Sequence, residues 1–81
     1  MVMICIRTIN LTMSSFCIDV DLNADIFNLK QKITEKFPNY EVNNMRIIIR
    51  GRLQDDHTIL SSTTILNDPC IHLVYSEQQN Q

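Results

Sequence analysis

The sequence predicts an α+β fold in which one amphipathic helix lies across one face of a sheet, and three observations carry that prediction. Four stretches alternate apolar and polar residues with the period of a strand: Val2–Ile6, Phe16–Val20, Met45–Arg50 and Cys70–Tyr75. Between the second and the third, Ile26, Leu29, Ile33 and Phe37 recur at helical spacing. The order strand, strand, helix, strand, strand suits two layers closed around one core, and 81 residues suffice for a single core without much reserve.

In the first pair, Val2, Ile4 and Ile6 alternate with Met3, Cys5 and Arg7, and Phe16, Ile18 and Val20 alternate with Ser15, Cys17 and Asp19. This reads as a hairpin. Its connection, Thr8–Ser14, contains no glycine, so Asn10 is the residue expected to take any positive φ the turn requires. Asp25 is a suitable N-cap for a helix of about three turns that Pro38 stops. Lys30 falls on the apolar stripe of that helix, so it must snorkel or meet a carboxylate, with Asp55 and Asp56 as candidates. Phe27 falls off the stripe and is expected to be an exposed aromatic covered by a nearby loop.

Pro38–Asn44 reads as a connector. The segment from Leu53 to Ile65 is polar, with apolar residues too widely spaced for a regular element, and is expected to be irregular loop with short helical turns. In the last strand Ile71, Leu73 and Tyr75 face one way and Cys70, His72 and Val74 the other. The expected core is Val2, Ile4, Ile6, Phe16, Ile18, Val20, Ile26, Leu29, Ile33, Met45, Ile47, Ile49, Leu53, Leu60, Ile65, Ile71 and Leu73.

The third strand carries the feature that bears on function. Met45, Ile47 and Ile49 face the core, which leaves Arg46, Ile48 and Arg50 outward, with Gly51 turning out of the strand. An isolated apolar side chain on an outer face is ordinary, and it becomes informative when neighbouring strands add apolar atoms beside it. Val74 and His72 on the last strand do so.

Composition bounds the function classes. Net charge is −2 and aromatics are 6% of the chain, with none in the arginine-bearing strand, which disfavours nucleic acid as a partner for the arginines. The apolar runs are too short to span a membrane and Val2–Ile6 lacks the form of a signal peptide, so the expected setting is cytoplasmic or nuclear, with no membrane partner. Three cysteines without tandem Cys-x-x-Cys spacing argue against a secreted disulfide framework and a standard zinc site. If Ile4 faces Ile18 across the hairpin, Cys5 lies opposite Cys17, and Cys70 points to the same face. The expectation there is three small, reduced, partly buried thiols, against a redox pair or a metal site made by Cys5, Cys17, Cys70 and His72. No glycine-rich loop, paired carboxylates or oriented nucleophile and base is evident, so no enzyme activity, catalytic residue, cofactor or metal is expected.

The opening Met3–Thr8, the helical stretch Ile26–Ile33, the Arg46–Arg52 strand and turn, and Ile71–Val74 resemble the corresponding stretches of ubiquitin, in the same order and over about Val2 to Tyr75. The resemblance implies the β-grasp fold over residues 1–75, with 76–81 a polar tail or the start of a linker. Arg52–Asp56 is further similar to the ubiquitin-like domains of Scythe-type, chaperone-associated proteins. The loop Thr8–Ser14 is longer than ubiquitin's, and the segment from Leu53 to Leu60 is displaced against it.

In the resembled family, a surface read by ubiquitin receptors is formed by positions matching Ile9, Ile48, Gly51, His72 and Val74. Arg7, Arg46, Arg50 and Arg52 would supply a basic rim favouring acidic partners. Conjugated members end in Gly-Gly, whereas Val74 is followed here by Tyr-Ser-Glu-Gln-Gln-Asn-Gln81. The resemblance therefore implies a non-conjugating, monomeric interaction module. Its expected partners are proteasomal subunits, receptors with ubiquitin-binding helices or helical bundles (UIM-like or UBA-like), or chaperone-associated factors. The alternatives are a conjugatable modifier whose Gly-Gly end lies beyond this chain, and the regulatory domain of a deubiquitinase.

Overall fold

The computed structural model describes residues 2–9, 15–63 and 71–75. Strands β1 (Val2–Ile9) and β2 (Ser15–Val20) form the expected antiparallel hairpin, with Ile4 opposite Ile18. Helix α1 (Ile26–Lys36) follows, then β3 (Met45–Ile49), β4 (Arg52–Leu53) and β5 (Ile71–Tyr75). Single 3₁₀ turns occupy Val42–Asn44 and Leu60–Ser62. The strands form one mixed sheet in the order β2-β1-β5-β3-β4, with β1 and β5 parallel at its centre. This is the α+β, β-grasp arrangement.

Helix α1 begins and ends where its sequence says it should, whereas β1 runs on through Thr8 and Ile9, which the sequence assigns to the hairpin connection, and β3 stops at Ile49, one residue short of Arg50. The Asp25 carboxylate accepts from the Asn28 N–H at 2.9 Å and caps α1, while Phe37, just before Pro38, closes the last turn by donating its N–H to the Ile33 carbonyl at 2.8 Å. Ile26, Leu29 and Ile33 are fully buried against the inner sheet face, where Ile6, Val20, Ile47, Ile49, Ile71 and Leu73 meet them. Lys30 is buried on the same stripe and donates to Asp56 at 2.6 Å, so the second of its two candidate carboxylates is the partner. Phe16, Phe37, Tyr40 and Tyr75 form a chain of edge-to-face contacts along the margin of the core.

Two expectations are corrected. The sheet has a further strand, because Arg52–Leu53 folds back on β3; two residues are too few to show a period. Leu53 is also not a core residue. It pairs with Ile48, whose side chain points outward, so the pleat carries Leu53 to the outer face, where it is 63% exposed. Phe27 remains 40% exposed beside the loop whose Asp56 carbonyl accepts its N–H. Asn10, Ile65, Cys70 and the 76–81 tail lie outside the described residues. No helix among the described residues is long and apolar enough to cross a membrane.

Candidate interaction surface

The outer sheet face is built by register. His72 on β5 stands opposite Ile48 on one side and Arg7 on the other, and Ile48 in turn stands opposite Leu53. One step along the strands, Val74 lies between Arg46 and Ile9. Ile48, His72 and Val74 are half-buried while their neighbours Ile47, Ile49, Ile71 and Leu73 are buried, which is the alternation expected of a sheet with one wet face. Ile9 closes this group from the end of β1 and is 42% exposed. The structure thus brings Ile9, Arg46, Ile48, His72 and Val74 together on three adjacent strands, β1, β5 and β3.

Arg50, Gly51 and Arg52 occupy a different setting. Arg50 (φ 55°) and Gly51 (φ 77°) are the central residues of the two-residue turn joining β3 to β4, and positive φ at both is what a type I′ hairpin turn requires. Arg50 is therefore a turn residue beyond the end of β3. Arg52 pairs with the buried Ile49, so its side chain leaves the backbone on the helix side of the sheet, at the β4 edge. It lines a shallow hollow there with Thr58, Ser62 and Thr63.

Leu53 is the surface residue that sequence reasoning missed. The Gln54 N–H donates to the Ile47 carbonyl at 2.9 Å, extending the β3–β4 pairing and placing Gln54 on the same side of the sheet as Ile47. An apolar residue directly before a polar one after the Arg50-Gly51 turn was the available signal.

The cysteines also differ from expectation. Cys5 and Cys17 stand opposite each other, as the hairpin register requires, but they are joined by a disulfide and are exposed. The pleat puts both side chains on the outer face of adjacent strands with their Cα atoms 4.0 Å apart, so the thiols meet each other and are not packed under neighbours. Among the described residues no group of His, Cys, Asp and Glu is arranged to hold a metal.

No curated protein matches the chain. The sequence model of the Ubiquitin family matches residues 4–78, nearly the whole chain and all five strands but the first residues of β1. With that match and the β-grasp topology in hand, the chain belongs to the ubiquitin family.

Proposed function

We propose that this domain is a protein-interaction module that tethers its parent protein to ubiquitin receptors of the proteasome or to chaperone-associated quality-control factors, acting by binding and not by catalysis. The observation that carries the reading is the placement of Ile48 opposite His72 and diagonal to Val74, all half-buried on one wet sheet face with Arg7 and Arg46 beside them. Apolar atoms in such a setting contribute affinity, and the guanidinium groups favour partners with acidic residues beside an apolar anchor. The patch is small, so the complex belongs to the class burying less than about 1,200 Å² with affinity near micromolar, roughly −7 to −9 kcal/mol. A cytoplasmic or nuclear setting fits this role.

The test is an amide-shift titration of the labelled domain with a ubiquitin-binding helix of a proteasomal receptor. Shifts confined to β3, β5 and the end of β1 are expected. Shifts centred on α1 and absent from Ile48, His72 and Val74 would overturn the reading.

A further inference from the structure

We propose that the Cys5–Cys17 bridge is a polarised thiol-exchange site, at which a low-molecular-weight monothiol enters at Cys17 and Cys5 departs as the thiolate beside Arg7. The inference goes beyond the docking reading, and Ile48, His72 and Val74 take no part in it.

Access is unequal across the bridge. Both cysteines are exposed on the outer face, Cys5 on β1 and Cys17 opposite it on β2. Strand β2 is an edge of the sheet, whereas β1 is flanked by β2 and β5. In thiol–disulfide exchange the incoming sulfur approaches along the S–S axis from beyond the sulfur it attacks, so access decides which cysteine is entered. Beyond Cys17 lies the open margin of β2. Beyond Cys5 lies the interior of the sheet, where β5 pairs with β1 from Ile6 onward.

Charge points the same way. Two residues along β1 from Cys5, on the same face, stands Arg7, opposite Ser15; two residues along β2 from Cys17 stands Asp19, opposite Met3. Arg7 and Asp19 are both exposed. Each charge is about 6.6 Å along the strand from the cysteine on its own strand and farther, on the diagonal, from the other. A thiolate released at Cys5 therefore has the guanidinium as its nearer charge, and one released at Cys17 would have the carboxylate.

The exchange balances. The incoming thiolate forms a bond to the Sγ of Cys17, the Sγ–Sγ bond breaks, and its electron pair leaves on the Sγ of Cys5. The incoming sulfur is oxidised to a mixed disulfide and the Cys5 sulfur is reduced. Because β1 and β2 stay paired on both sides of the two cysteines, with their Cα atoms 4.0 Å apart, the Cys5 thiolate can attack Cys17 again and expel the added thiol. The site is thus reversible, and its state follows the surrounding thiol pool, as exposed bridges in a reducing compartment do.

The experiment exposes the bridged protein to 2-mercaptoethanol for seconds, traps free thiols with excess N-ethylmaleimide, and maps the products by mass. Cleavage after lysine and arginine puts Cys5, Cys17 and Cys70 on separate peptides. The mercaptoethanol adduct is expected on the Cys17 peptide and the maleimide on the Cys5 peptide, with the reverse pattern at least about fivefold rarer. Arg7→Gln should slow opening of the bridge about two- to threefold, the effect of one charge at this distance near a surface, and Arg7→Lys should restore the rate. Arg7 is exposed, so both variants keep the fold, which their amide spectra verify. An adduct on the Cys5 peptide, or one shared equally, would overturn the polarity. An unchanged rate in Arg7→Gln would overturn the assignment of Arg7. Protein whose Cys5 and Cys17 both take maleimide without added thiol, before and after exposure to the oxidised form of mercaptoethanol, would overturn the site itself.

Discussion

The Nζ of Lys30 lies 2.6 Å from a carboxylate oxygen of Asp56, joining the buried stripe of α1 to the loop that follows β4. The lysine side chain is 9% exposed and the aspartate 43%, so the pair is asymmetric. The same loop accepts twice at the start of the helix: the Thr58 carbonyl takes the Ile26 N–H, and the Asp56 carbonyl takes the Phe27 N–H. The ion pair therefore fixes where the loop meets the helix.

Removing the two partners should not cost the same. Asp56→Ala leaves an ammonium buried without its carboxylate, and about 1–3 kcal/mol of destabilisation is expected, toward the lower end because Asp56 is partly solvated. Lys30→Met replaces the charge with an apolar chain of similar length among Leu29, Ile26 and Ile33, and stability is expected to be unchanged or higher. Urea unfolding of both variants checks the asymmetry; equal losses would contradict it.

Gly51 tests the turn. Its φ of +77° is unfavourable for any L side chain, yet a Cβ there would meet nothing within 4 Å. Gly51→Ala should therefore cost about 1 kcal/mol of purely conformational origin, seen as a lower urea midpoint with an unchanged slope. Loss of the folded spectrum would show that the turn does more than reverse the chain.

The Cys5–Cys17 bridge closes a hairpin with a sequence separation of 12. On loop-closure grounds reduction should remove up to about 3 kcal/mol, and Cys17→Ser should lower the urea midpoint to that of the reduced wild type. Mass analysis of alkylated native protein, with and without reductant, reports whether the bridge is present. Coincident unfolding curves with and without reductant would contradict a stabilising role.

Much of this was legible from residue spacing because sheet and helix periods are strict. Ile26, Leu29 and Ile33 could only be a helical stripe, Asp25 stands directly before it as a capping side chain, and the outward phase of Ile48, His72 and Val74 follows from the burial of their neighbours. What was hidden depended on partners distant in sequence or on elements too short to show a period. Leu53 reads as a core leucine until β4 is seen to pair it with Ile48. Arg50 continues the alternation of β3, but Gly51 and a tight turn claim it first. The hairpin register placed Cys5 opposite Cys17, whereas spacing carries no information about whether the two sulfurs are bonded.

The most direct measurement of the central claim is calorimetric titration of the domain and of Ile48→Ala with a ubiquitin-binding helix from a proteasomal receptor, alongside urea unfolding of both proteins. Wild type should bind with a Kd near micromolar, about −7 to −9 kcal/mol, and Ile48→Ala should show no measurable binding while remaining folded. Equal affinity of the two proteins would contradict the claim that the outer face around Ile48 is where partners dock.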